Sequence, residues 1–161
     1  AAGGADPRLA TAANSTPLMA AAGLGQIGNR TQEEQKNALE AVQVALELGN
    51  DANAAGERGM TALIGAAARG WDPIVQLLVD KGAVVNQQDR CGQTALSVAE
   101  GDPAGLVDRG DRSRIRKATA ELLRKLGGEI IPVDPIAQCQ HTRHNALKDM
   151  EYGEFAGKSP L

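Results

Sequence analysis

A chain of 161 residues leaves room for one domain and little for a second. Hydrophobic residues make up 42% of it, which supplies a folded core and excludes a wholly disordered chain. The formal net charge of −3 argues against a general nucleic-acid binder, which needs a strongly basic domain.

Aromatic residues are scarce: one Trp, one Tyr and one Phe, against 28 alanines and 19 glycines. A core of Ala and Leu with so few rings suits thin, closely stacked helices rather than a thick globular centre. No stretch approaches the ~18 consecutive apolar residues of a membrane helix, so membrane insertion is not expected. No N-terminal signal-peptide pattern is present. The start, Ala1-Ala2-Gly3-Gly4, could follow a cleavage or a truncation, so a cytoplasmic and an exported origin both stay open. Two cysteines, Cys91 and Cys139, cannot on their own make a disulfide-dense scaffold or a zinc site.

Along the chain the organising signal is internal repetition. Thr16-Pro17-Leu18-Met19-Ala20-Ala21-Ala22, Thr61-Ala62-Leu63-Ile64-Gly65-Ala66-Ala67 and Thr94-Ala95-Leu96-Ser97-Val98-Ala99 align, their starts separated by 61 − 16 = 45 and 94 − 61 = 33. Gly4, Gly49, Gly82 and Gly127 form a second register. The first three each precede the next threonine by one constant interval (16 − 4, 61 − 49 and 94 − 82). Each threonine is placed as an N-cap, its hydroxyl accepting from an early helical N–H. Pro17 then falls at the first helical position, where its missing N–H costs nothing.

A second, outer helix is predicted in each unit. Leu39, Val42 and Leu46 mark the first, and Ile74, Leu77 and Leu78 the second. Ile115, Ala118, Thr119, Leu122, Leu123 and Leu126 give the third one apolar face. Gly49, Gly82 and Gly127 are placed to close these outer helices. The first and last units (49 − 4 and 127 − 82) are longer than the middle one (82 − 49) by the same amount. The extra length is expected as loops, near Leu24–Lys36 and Gly101–Arg112.

The wording of the units resembles the ankyrin repeat over roughly residues 4 to 128. The second unit carries it best, in Gly59-Met60-Thr61-Ala62-Leu63, Ala66-Ala67, Gly70, Ile74-Val75, Leu77-Leu78, Gly82-Ala83, Val85-Asn86 and Asp89. The third opens with Gly92-Gln93-Thr94-Ala95-Leu96 and then departs, with Glu100 for the second alanine and Pro103 for the glycine. The first has Asn14 where the turn glycine belongs. The resemblance implies an all-α solenoid of about three helix-turn-helix repeats with hairpin loops, spanning 1–128, followed by an irregular C-terminal extension, 129–161. Gly4-Ala5-Asp6-Pro7 looks like the closing turn of an earlier repeat. The inner helix of the first unit is therefore expected to expose an apolar side. In the extension a short helix is allowed over 145–152. Ile130-Ile131-Pro132-Val133 is expected to fold back over the last helices, with Tyr152 and Phe155 as further rings.

Candidate chemistry is sparse. Cys139, His141 and His144 lie close together as three weak metal-ligand candidates, but a fourth ligand and a second Cys/His cluster are missing, so neither metal nor cofactor is expected. With His141 and His144 the only histidines, no catalytic constellation assembles, and the chain is not expected to be an enzyme. Cys91, on a predicted hairpin turn, reads as a tolerated small residue in preference to a redox-sensitive thiol. Trp71 is either a binding hot spot or a plug against the inserted loop of the preceding repeat.

The resemblance implies a protein-interaction scaffold that binds a protein partner through hairpin tips and inner-helix positions. Carried over by register, these are Glu57, Arg58, Met60, Arg90 and Gln93 on the tips and Met19, Ile64 and Ser97 on the inner helices, with Trp71 beside them. The alternative is a structural subunit or fragment of a larger, exported redox or metal-containing assembly.

Overall fold

The computed structural model describes residues 6, 8–11, 14–24, 31–56, 58–101 and 116–131. Within them six helices run in order: α1 (Pro17–Ala21), α2 (Gln32–Glu47), α3 (Ala62–Arg69), α4 (Asp72–Asp80), α5 (Ala95–Glu100) and α6 (Lys117–Lys125). No strand occurs among the described residues. The helices pair as α1 with α2, α3 with α4 and α5 with α6. The inner helices α1, α3 and α5 then stack in one row and the outer helices α2, α4 and α6 in a second.

The expected caps are in place. Thr16, Thr61 and Thr94 accept through their side-chain oxygens from the N–H groups of Met19, Ile64 and Ser97, at 3.2, 3.3 and 3.3 Å. Each outer helix closes with a paired bond at its glycine. The N–H groups of Asn50, Ala83 and Gly128 reach back to the carbonyls of Ala45, Leu78 and Leu123, at 3.1, 2.9 and 2.8 Å. These bonds occupy carbonyls that would otherwise be orphaned at the helix ends.

The core is one continuous band of small and branched aliphatic side chains. Leu18, Leu63, Ile64, Ile74, Val75, Leu78, Leu96 and Leu123 are its largest aliphatic members along with Val42 and Met19, Trp71 is the one aromatic ring buried among the described residues, and alanines fill the gaps between them. Burying each of the large ones contributes roughly 1.5–3 kcal/mol. The middle helix α3 is enclosed almost all round, since it packs on α1, α4 and α5 together.

Five expectations need correction or restriction. The first inserted segment is not a loop throughout. From Gln32 it joins α2, because Thr31 and Glu34 form a capping box in which each side chain accepts from the other's N–H, at 3.1 Å both ways. Residues 25–30 and 102–112 of the two insertions lie outside the described residues. On α6 the buried face is Thr119, Ala120 and Leu123, with Leu122 and Leu126 half-buried. Ala118 points to solvent and Ile115 lies outside the described residues. The inner helix of the first unit does not expose its large apolar residues: Leu18 and Met19 are buried because α1 is packed on both α2 and α3. The exposed apolar side chains at that end are Leu9, Val44 and Leu48. After α6, Ile130 is 55% exposed, so it does not fasten the extension by burial. Val133, Tyr152, Phe155 and the expected helix at 145–152 lie outside the described residues, as do Gly4, Ala5 and Pro7.

Candidate functional site

Three hairpin turns project from the inner-helix side, and one hydrogen-bond pattern builds all of them. The N–H groups of Thr11, Gly56 and Asp89 donate to the carbonyls of Ser15, Met60 and Gln93, at 2.9, 3.0 and 2.9 Å. The N–H groups of Asn14, Gly59 and Gly92 donate back to Thr11, Gly56 and Asp89, at 2.8, 2.8 and 3.0 Å. The intervals from turn to turn (56 − 11 and 89 − 56) equal those between the threonine caps, so turns and caps share one register. The residue donating back is left-handed in each, with φ of 56°, 73° and 75°. Glycine adopts that conformation without strain, and asparagine is among the few residues that tolerate it.

The turns also touch each other. The N–H of Arg90 donates to the carbonyl of Arg58 at 2.9 Å, which ties the second tip directly to the third. A Cβ at Gly59 would come within 3.0–3.2 Å of the backbone of Asp89 and Arg90, so this approach needs glycine for space as well as for φ. Asp89 organises the third turn from below. It is buried, and its Oδ1 accepts from the N–H groups of Cys91 and Gln93, each at 2.8 Å.

An asparagine clamp joins each loop to the next. Asn53 donates to the carbonyl of Gly82 at 2.9 Å and accepts from the N–H of Val84 at 2.7 Å. Asn86 repeats this one unit later, donating to Gly127 at 3.0 Å and accepting from Glu129 at 2.8 Å. Thr94 adds a hydroxyl bond to the carbonyl of Glu129 at 3.3 Å. Polar bonds, not apolar burial, therefore attach the start of the C-terminal extension. In the first unit the equivalent position is Arg8, which pairs instead with Asp6 at 3.0 Å. The side-chain hydrogen bond from Arg8 holds the Asp6 carboxyl below its ordinary range. Asn53 and Asn86 stand one plain repeat apart (86 − 53 = 94 − 61), a spacing visible in the sequence, yet the expected site did not include them.

The expected contact residues divide sharply. Arg58 and Arg90 are exposed on adjacent tips, and Met60 and Ser97 are half-buried beside them. The Ser97 hydroxyl is already used: it accepts from the N–H of Thr94 and donates to the Thr94 carbonyl, both at 2.9 Å. Met19, Ile64 and Gln93 are core residues at 1%, 1% and 5% exposure. They are corrected from surface to interior: Met19 lies where α1 packs on α2 and α3, Ile64 where α3 packs on α1, α4 and α5, and the hairpin residue Gln93 is drawn in by the bond from its N–H to buried Asp89. Glu57 lies outside the described residues, as do Cys139, His141 and His144.

Trp71 is also interior, at 3% exposure. Its ring lies against Gly23, where an added Cβ would sit 2.8 Å from the indole, and Arg69 stacks over it at 4.8 Å from the ring centroid. Its burial corrects the reading of Trp71 as an exposed binding residue; the ring packs on the turn at Gly23, just before the inserted segment, of which residues 25–30 lie outside the described residues. Cys91 departs from its reading as a tolerated small residue: it is disulfide-bonded. Among the described residues no group of three or more His, Cys, Asp or Glu side chains is placed to hold a metal, and no helix is long and apolar enough to cross a membrane.

Residues 33–104 match the family model described as ankyrin repeats in three copies. No curated protein matches the sequence. The hairpin at 11–15 and the helix α6 continue the same bond pattern on either side of the matched residues. Residues 33–104 belong to the ankyrin-repeat family, and the helices around them extend one all-α array.

Proposed function

We propose that this chain is a non-catalytic scaffold that binds a protein partner along its hairpin edge, with Arg58, Arg90 and Met60 at the centre of the contact. Ankyrin repeats are, as a class, protein-interaction modules. The observation that carries the finer reading is the bond between the second and third tips. It presents two exposed guanidinium side chains from backbone already fixed before any partner arrives. A pre-ordered surface loses little conformational entropy on docking. Arginine further offers a planar fork of donors that pairs with carboxylates in two parallel bonds. Met60 adds a flexible apolar surface beside them.

The test compares the parent chain with the double variant Met60→Ala, Arg90→Ala as baits, quantifying retained proteins by mass spectrometry. A partner retained by the parent and lost by the double variant, with thermal unfolding unchanged, supports the hairpin edge. If retention survives that double change but fails when the inserted segments are replaced, the edge is the wrong surface.

A further inference from the structure

One side of the outer helices is covered in α4 and α6 and open in α2. The Thr119 hydroxyl donates to Asp72, so this side of α6 is turned toward α4. Counted back from the closing glycines, Thr119, Ile74 and Ala41 share one register position (127 − 119 = 82 − 74 = 49 − 41). Leu122, Leu77 and Val44 share another (127 − 122 = 82 − 77 = 49 − 44). In α4 and α6 these residues are buried or half-buried, and each helix packs on the outer helix before it. Ala41 and Val44 are exposed, because no outer helix precedes α2 among the described residues. Leu48, one turn beyond Val44, continues the stripe, and the two are 49% and 52% exposed.

A row of exposed glutamates borders this stripe. Glu33, Glu40 and Glu47 recur at heptad spacing (40 − 33 = 47 − 40), which keeps them on one flank of α2 beside Val44. With Glu34 the helix carries four glutamates against one basic residue, Lys36. We infer that this face of α2 is a docking site for an amphipathic helix of a partner protein, one that sets a row of Lys or Arg side chains at the same spacing beside an apolar stripe. The face lies on the outer-helix row, away from the hairpin edge.

The shape of the occupant follows from the array itself, since a helix is what seats on the matching stripes of α4 and α6. From Glu33 to Leu48 the face runs roughly 22 Å at the rise of an α-helix, so a partner helix of about four turns spans it. Charge decides between occupants. Antiparallel pairing of α2 with a second copy would set its glutamate row against the same row, a like-charge juxtaposition that disfavours the contact. A head-to-tail copy would bring the far side of α6, where Lys117, Glu121 and Arg124 are exposed and offer no apolar stripe to Val44 and Leu48. Arg124 is moreover already paired with Glu100. A basic row flanking an apolar seam satisfies both features of α2 together, in the way flanking ion pairs select partners in coiled coils.

The test is a fluorescence-anisotropy titration of the full chain with a labelled synthetic helix of about 18 residues. The probe carries a Leu/Ala stripe and Arg at heptad spacing, and a control peptide has Glu at the Arg positions. Saturable binding of the Arg peptide is expected, with none of the Glu peptide. Val44→Ser with Leu48→Ser should weaken it by about tenfold or more with urea unfolding unchanged, since both side chains are exposed. Glu40→Lys with Glu47→Lys should reverse the preference between the two peptides. The site is overturned if the Arg peptide does not bind, if it binds the Val44/Leu48 variant as tightly as the parent, or if the parent takes both peptides alike. Sedimentation equilibrium supplies a further refutation: a dimer of the parent that becomes monomeric in the Val44/Leu48 variant would assign the face to a second copy. None of these variants touches Arg58, Met60 or Arg90, so the outcome is independent of whether the hairpin edge binds a partner.

Discussion

Replacing Trp71 with Ala separates a structural ring from a binding ring. The indole is 3% exposed and lies against the turn at Gly23 on one side and under Arg69 on the other. Removing a buried Trp costs about 3–5 kcal/mol through lost transfer free energy and the cavity left behind. The Arg69 stack adds about 1 kcal/mol, since the ring face that attracts the guanidinium disappears. The turn at Gly23 can collapse only partly into the gap, because Gly23 is left-handed and has no side chain to fill it. A loss of about 4 kcal/mol corresponds to a fall in melting temperature of roughly 10 °C in a chain of this size. Far-UV circular dichroism of Trp71→Ala during heating and in urea measures it, with Trp71→Phe expected to lose less than half as much. A melting temperature within about 2 °C of the parent would refute the reasoning and return Trp71 to the surface.

Other perturbations follow from the same contacts. Gly23→Ala places a Cβ 2.7 Å from the Arg69 side chain and 2.8 Å from the Trp71 ring at a φ of +88°, so urea titration should show a loss of about 2–4 kcal/mol. Asn53→Ala removes both clamp bonds to Gly82 and Val84, and a loss of about 1–2 kcal/mol is expected with helix content retained. Thr61→Ala leaves the first turn of α3 without its cap, for about 1 kcal/mol by the same titration. Ending the chain at Gly128 removes the bonds that Asn86 and Thr94 make to Glu129, and the melting temperature should drop by about 2–4 °C. An unchanged value would mean that the extension adds nothing to the array.

The repeat architecture was legible because it rests on residues with strong local physics. A threonine before Ala-Leu, a glycine after an apolar run and an asparagine at a left-handed turn each specify backbone within a few positions. The same local logic explains the error at Thr31, where a capping box lengthened α2 into a segment read as loop from its composition. Burial was harder to read. Met19 and Ile64 occupy register positions that face a partner when the inner helices stand clear, and here neighbouring helices close over them, while Gln93 turns inward on the hairpin through its bond to Asp89. Trp71 posed the same difficulty, since its burial depends on a turn almost fifty residues upstream. Asn53 and Asn86 were visible as a spacing, but only the backbone of the following loop gives that spacing a purpose.

The two outer helices that follow α3 and α5 begin on matching residues. Trp71 donates its N–H to Ala66 at 3.1 Å and has φ −93° and ψ 74°. Arg116 donates to Ala99 at 2.9 Å, with φ −89° and ψ 73°. Ala66 and Ala99 are separated by 99 − 66 = 33, whereas Trp71 and Arg116 are separated by 116 − 71 = 45. Twelve additional residues therefore enter between two anchor points whose geometry does not change, and the outer helix resumes as though they were absent. This junction behaves as a splice point: sequence of different length or chemistry can be exchanged there without shifting the phase of the stack. Displaying a foreign loop between Gly101 and Arg116 would use the array as a carrier, on the side away from the hairpin edge, with one surface altered while the other is kept.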